Sequence, residues 1–342
     1  MRAGFAVMAA GMVAGVLAAA APAAQAGVTL DEVKARGSVR CGVNELGKAL
    51  GTLSPEGQWV GFYPEFCRAV AAAVVGDKDA VDYIMISTAD RFDAVRSGAV
   101  DILSEASTMT LSRDASGLDF PAIIFHDGQG FLTYGRDGVT SMDQLKGQRI
   151  CVQGVSTSED NLRDLNASAK MGWEIMSFTT IEGAYSAFFG RQCMAMSTDA
   201  LILGSMRLSL APNPADYVLL DQRISHEPIG PVTRDDDPEW TAVVRWTFNA
   251  MFQGEELGVT SANADTMRAS GPLEARRLLG AEGDLGATLG LDSAWAYRVI
   301  KQVGNYAEVY DRTIGPGSEF NLPRGRNALT KDGGLLWAAP HR

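Results

Sequence analysis

VDYIMISTADRFDAVRSGAVDILSEASTMTLSR, residues 81–113, reads as strand, helix, strand and hydroxyl-rich turn in unbroken succession. Val81 to Ile86 is rich in β-formers, as a short buried strand requires. Ser87 or Thr88 is suited to cap a helix carrying Phe92 and Val95, and Gly98 stops it before the second strand, Val100 to Leu103. Ser104, Ser107, Thr108 and Thr110 follow, small hydroxyl residues that favour turns and helix starts over strand interiors. Arg113 closes the run with a planar guanidinium fork suited to a carboxylate. Spacing alone is also satisfied by a capped helix with a surface arginine.

Working outward, Val39-Arg40-Cys41-Gly42-Val43 alternates as a first strand. Pro64 to Val75 opens with a helix-starting proline and repeats apolar residues at helical spacing. Strand, helix, strand, helix, strand predicts an α/β fold with a parallel sheet. A second unit of the same kind begins after Gly128-Gln129-Gly130. It holds a strand at Arg149 to Gln153 and a turn, Gly154 to Glu159, leading into a helix from Ser158. The hydroxyls of Ser156 and Thr157 and the free N–H groups of that helix start form a second anion-friendly turn, although capping alone would explain them. Ala184 to Gly190 reads as a helix and Cys193 to Ser197 as a strand ending at Asp199, a natural partner for an ammonium group and equally a common cap. The segments Glu239 to Phe252 and Trp295 to Val303 read as amphipathic helices.

Residues 1–26 begin with Arg2, continue through an uncharged Ala/Gly/Val/Met-rich run and end in Ala24-Gln25-Ala26, the pattern of a secretory signal rather than a membrane anchor. The remaining chain is long enough for two lobes. A net charge of −11 disfavours nucleic acid and anionic membrane surfaces as partners. Four cysteines, Cys41, Cys67, Cys151 and Cys193, read as disulfides in an exported chain. Three connectivities are possible, and the spacing favours two local bridges, Cys41–Cys67 and Cys151–Cys193. The cysteines are scattered and lie away from His126, His226 and His341, so no metal and no cofactor is expected.

The strings LDEVKARGSVRCGVN, GFYPEFCRAVAAAV, TMTLSRD, DGQGF, CVQG followed by STSE, EPIGP, RWTFNAM, LGLDSAWA, VIKQVGNYAEVYDR and GGLLWAAP span nearly the whole chain after the signal. Through them the chain resembles the periplasmic general (polar) L-amino-acid-binding proteins of ABC importers, within bacterial solute-binding protein family 3. The resemblance implies a two-lobed periplasmic-binding-protein type II fold, with two parallel-sheet lobes joined by two crossing strands and closing like a clamp. The lobes expected are 27–131, 132–226 and, returning to the first, 227–342 with the C-terminal helices. The hinges are expected near Gly130 to Tyr134 and Ser225 to Pro231.

The resemblance also implies a monomeric periplasmic protein, not an enzyme, whose partners are an L-amino acid and an inner-membrane permease/ATPase complex. Carried over by position, Arg113 would grip the α-carboxylate with help from Thr108, Ser156 and Thr157, and Asp199 would hold the α-ammonium. Leu50, Glu105 and Ala106 complete the expected ligand set. The chain departs from the group's pattern at Leu50, Tyr63, Glu105 and Val155. Glu105, negative where the group is positive, would favour neutral or basic ligands over acidic ones, unless it points into solvent. Two other readings are an exported dehydratase of prephenate or arogenate on the same fold, with Glu159 or Glu105 as general acid, and a soluble amino-acid sensor.

Overall fold

The computed structural model describes Met1 and residues 28–342; the signal read over 1–26 lies, Met1 aside, outside the described residues. Val39–Val43 is the central strand of the first sheet, flanked by Val81–Met85 and Ile102–Leu103, all parallel. The opening stretch of sequence therefore supplies both neighbours of the central strand. Phe62–Val74 is the crossover helix. Its entry requires Gly61 at φ 119°, because a Cβ there would stand 2.6 Å from the Leu50 carbonyl carbon. Phe62 and Phe66 on this helix are fully buried and gather Phe125, Phe248, Tyr306 and Tyr310 in largely edge-on contacts. Each such ring contributes roughly 1.5–3 kcal/mol by burial alone. The cluster also fixes Phe125, where the chain leaves the first unit.

The crossing is made by Phe125–Asp127 and Glu227–Ile229, which pair antiparallel with Glu227 opposite Asp127. The second sheet has the order Glu174–Phe178, Arg149–Gln153, Ala195–Asp199, Gln129–Tyr134, Tyr217–Leu219. Two expectations are corrected here. Gly130 to Tyr134 is not a hinge: Gln129–Tyr134 is already a fully buried strand of the second sheet, paired with Ala195–Asp199. That strand and Tyr217–Leu219 also make the second sheet mixed rather than purely parallel, since both pairings of Gln129–Tyr134 are antiparallel. A chain entering directly from the crossing strand has no helix with which to reverse its direction.

Both local disulfides are present, Cys41–Cys67 joining the first strand to its crossover helix and Cys151–Cys193 joining the second sheet to the loop before its third strand. With sequence separations of 26 and 42, loop-closure entropy assigns about 3.5–4 kcal/mol to each. No helix among the described residues is long and apolar enough to cross a membrane. The two sheet units face each other closely. Ser205 Oγ donates to the Leu46 carbonyl at 2.7 Å, the Lys48 N–H donates to Ser209 Oγ at 3.1 Å, and Gln153 Nε2 donates to Thr88 Oγ1 at 2.9 Å. Gly47, at φ 83°, fits under the two serines, where a Cβ would lie 2.6 Å from Ser209 Oγ.

Candidate functional site

The turn after Ile102–Leu103 runs beside the returning crossing strand. Met109 N–H donates to the Pro228 carbonyl and Gly230 N–H to the Ser107 carbonyl, so the turn is held against the crossing strand with Ser104, Glu105, Ser107 and Thr108 buried. Thr110 caps the short helix Leu111–Asp114, accepting from Arg113 N–H at 3.3 Å. That places the Arg113 side chain back over the turn. Its Nη1 donates to the Thr108 carbonyl at 2.7 Å and its guanidinium lies 4.9 Å from the Phe92 ring centre. Arg113 forms no ion pair among the described residues. Burial, reinforced by nearby Arg91, lowers its pKa to about 10, a sign of a cation short of compensation.

From the other unit, Asp199 ends the buried strand Ala195–Asp199 and stands at the N-cap position of Ala200–Leu210. It does not cap. Its carboxylate accepts no hydrogen bond from the helix it precedes, and the residue is 4% exposed. Burial first, then Asp127 and Glu227, push its pKa well above the ordinary carboxylate range, with Arg113 acting in the opposite sense. An under-compensated guanidinium on the first unit and an under-compensated carboxylate on the second thus lie within each other's electrostatic reach.

Around them lie polar groups that sequence reasoning missed. The hydroxyls of Tyr63 and Tyr185 and Oε1 of Gln129 are buried without hydrogen-bond partners. Both tyrosines have pKa values raised well above normal by burial, with the charge of Asp199 as the next cause. Glu227 is buried and accepts from Ser225 Oγ and, at 3.0 Å, Asn161 Nδ2. Asp127 accepts from the N–H groups of Gly128 and Leu201 and, chiefly through burial, titrates near 6. DGQGF and EPIGP carry Asp127, Gln129 and Glu227, so those strings held the signal. Tyr63 was visible only as a departure, and nothing in the sequence marked Tyr185 or Arg91.

The remaining expected residues divide. Thr108 is buried and bridges to Ile229 across the crossing strand. Ala106 packs against the core beside it. Ser156 caps Thr157–Ser168, accepting from Glu159 N–H at 3.2 Å while donating to the Gln153 carbonyl at 2.7 Å, with Thr157 as the first helical residue. Leu50 is wholly buried in the core of the first unit, and its carbonyl receives the Tyr63 N–H. Glu105 neither points into solvent nor presents a bare negative charge. It is 4% exposed, pairs with Arg91 Nε at 3.2 Å and accepts from Ser107 Oγ. The expected preference for neutral or basic over acidic ligands therefore loses its basis, because the two charges cancel locally.

Residues 39–262 match the family described as bacterial extracellular solute-binding proteins, family 3. The chain belongs to that family. It is 41% identical over 332 residues to the general L-amino acid-binding periplasmic protein AapJ of Rhizobium johnstonii, covering 96% of this chain and 97% of that one. It is 43% identical over 329 residues to the glutamate/glutamine/aspartate/asparagine-binding protein BztA of Rhodobacter capsulatus, covering 95% and 97%. Among solved structures, an ABC transporter periplasmic binding protein from Brucella ovis with glutathione bound superposes with a TM-score of 0.90 at 43% identity, covering 92% of this chain and 99% of that chain. As a family 3 solute-binding protein, the chain carries its two unmatched charges where the two lobes face each other.

Proposed function

We propose that this solute-binding protein captures an L-amino acid between its lobes, in the periplasm, and delivers it to an ABC importer in the inner membrane. Arg113 takes the α-carboxylate, with the backbone and hydroxyls of the 104–108 turn and the Ser156–Thr157 helix start nearby. Asp199 takes the α-ammonium, and the unpartnered buried hydroxyls of Tyr63 and Tyr185, both within the field of Asp199, are further candidates for that end of the ligand. The observation that carries this reading is a pair of opposite charges from different lobes, half-buried Arg113 and buried Asp199, neither with an ion-pair partner among the described residues. A zwitterion satisfies both at once, and only with the lobes closed. Reversible capture requires no bond making, and the function proposed is binding rather than catalysis. The names of AapJ and BztA support the amino-acid class.

The glutathione held by the Brucella ovis protein favours a wider version of the same reading. The γ-glutamyl end of glutathione is itself an α-amino acid zwitterion, so the same two anchors would serve it.

The test is calorimetric titration of unfolded and refolded protein, residues 27–342, with the twenty L-amino acids and glutathione. At least one should bind, and at ~100 times its Kd it should add about 2.7 kcal/mol of stability. Arg113→Ala and Asp199→Asn should each weaken it more than 100-fold, since each leaves a buried charge of the ligand unpaired. Binding that survives both substitutions would overturn the zwitterion site.

A further inference from the structure

A second cavity of about 760 Å³ opens beside the crossing strands, between the helix Ala200–Leu210 and residues 320–327. It is distinct from the cleft: neither Arg113, Thr108, Ser156 nor Asp199 lines it, and the two meet at Asp127 with its backbone donors Gly128 and Leu201 and at Ser225. Its charge is unlike that of the molecule. In a chain of net charge −11 it gathers Arg207, Arg223, Arg324 and Arg326, with His126 and His226 at its walls.

Three of these arginines are under-used. Of the four, only Arg324 forms an ion pair, with Glu255 at 3.0 Å. Arg207 has a buried Nε without a partner, and its Nη1 reaches only the Tyr217 carbonyl at 3.3 Å. Arg223 donates to the carbonyls of Leu220 and Gln222 and to no carboxylate. Arg326 has no side-chain hydrogen bond or ion pair among the described residues, yet it is close enough to His126 to help hold that imidazole below its ordinary pKa, after burial. The carboxylates that line the cavity are Asp127, engaged with two backbone N–H groups, and exposed Asp221. Between the arginines the wall is apolar, with Leu201, Leu219, Phe320 and Leu322.

We infer that this cavity is a second ligand site, for a small organic anion with two or more acidic groups, and that its occupation strengthens closure of the lobes. Arginines without acid partners offer bidentate hydrogen bonding to carboxylate or phosphate oxygens, and the volume falls within the range of small-molecule sites. The coupling follows from the walls. The helix Ala200–Leu210 begins at Asp199, carries Arg207, and through Ser205 makes a closure contact to the Leu46 carbonyl. Residues 320–327 belong to the opposite body: Tyr310 donates to the Pro323 carbonyl, and Asn327 brackets His126 through its amide. Phe320 sits against Gly204, where a Cβ would lie 2.5 Å from the ring. An anion bridging Arg207 to Arg326 ties the moving helix to the fixed segment, and by linkage must raise affinity in the cleft.

The test uses citrate and pyrophosphate as probes against sodium chloride of matched ionic strength. Binding of the anion is measured first without amino acid, so that failure here is separable from failure of the amino-acid reading on which the coupling rests. Saturable millimolar or tighter binding is expected, with a three- to tenfold fall in the Kd of the cleft ligand. The double variant Arg207→Gln/Arg223→Gln should lose anion binding while its anion-free affinity for the cleft ligand stays within twofold. Should that variant fail to fold, Arg326→Glu, at an exposed and unpartnered position, should weaken the anion at least tenfold. In the wild type, bound anion should also raise the His126 pKa, read by NMR titration. No binding at 10 mM beyond the chloride control, or binding that Arg326→Glu leaves unchanged, overturns the site. Anion binding that leaves the cleft affinity unchanged overturns the coupling.

Discussion

The two hydroxyl-rich turns, Ser104 to Arg113 and Gly154 to Glu159, look alike on paper and behave differently in space. Each follows a short strand and precedes a helix start, and each contains serines, at least one threonine and a glutamate. The first is threaded between its own sheet and the returning crossing strand, so Glu105, Ser107 and Thr108 are buried. Its charges are matched inside the protein, Glu105 with Arg91, except for Arg113. The second is only partly covered. Val155 is 74% exposed, Ser156 is occupied with capping, and Glu159 is taken by Arg163 and Ser177. A strand–turn–helix signal therefore marks where polar groups collect. Whether one is left for a ligand depends on what the rest of the chain lays over the turn.

The sharpest way to break this contrast is to remove the glutamate from each turn. Glu105→Ala leaves Arg91 buried without its carboxylate and should cost about 3–5 kcal/mol in chemical denaturation. Glu159→Ala, where the half-buried carboxylate is paired with the exposed Arg163, should cost less, about 1 kcal/mol. Equal losses would show that burial does not separate the two.

A smaller effect comes from pH. Asp199 sits well above the ordinary carboxylate range and Asp127 near 6, in both cases chiefly through burial. A folded pKa raised above the unfolded value means that the folded protein holds the extra proton. The contribution of Asp127 to ligand-free stability is therefore fully present below pH ~4 and is lost as pH rises through about 6. The ligand ammonium needs Asp199 ionised, so acidification should strengthen the empty protein at this site and weaken binding. Between pH 7.5 and 5.5 the Kd should rise, by up to about tenfold per pH unit where one proton is taken up, which is about 1.4 kcal/mol per unit. Calorimetry across that range checks it, and a Kd that falls on acidification would contradict the assignment of Asp199.

The smallest effect concerns Val155, a β-branched residue held at φ 55° in the second turn. Left-handed backbone is costly for such a side chain, and glycine removes the cost while adding unfolded-state entropy. Val155→Gly should stabilise the protein by about 0.5–1 kcal/mol, seen as a higher denaturation midpoint with little change in ligand affinity. The corresponding change at a buried position, Thr108→Gly, should instead destabilise.

Sequence by itself determined the alternation of strands and helices and the local pairing of cysteines favoured by their spacing, and it singled out Arg113 and Asp199 as the charges proposed to hold the ligand. Those features are local: hydrophobic period, turn chemistry and residue type act over a few neighbours. Tertiary structure alone decided which polar groups remain unsatisfied. Asp199 reads equally well as a cap, and only the helix geometry shows that it caps nothing. Glu105 reads as a pocket charge, and only the approach of Arg91, fourteen positions earlier, shows that it is cancelled. Gly130 to Tyr134 reads as a hinge until its partner Ala195–Asp199 places it inside a sheet. Tyr185 carries no motif, yet its buried hydroxyl is left without a partner and within the electrostatic reach of Asp199. In each case the deciding term is burial or charge pairing between residues distant in the chain, and its magnitude is set by a distance that no sequence period encodes.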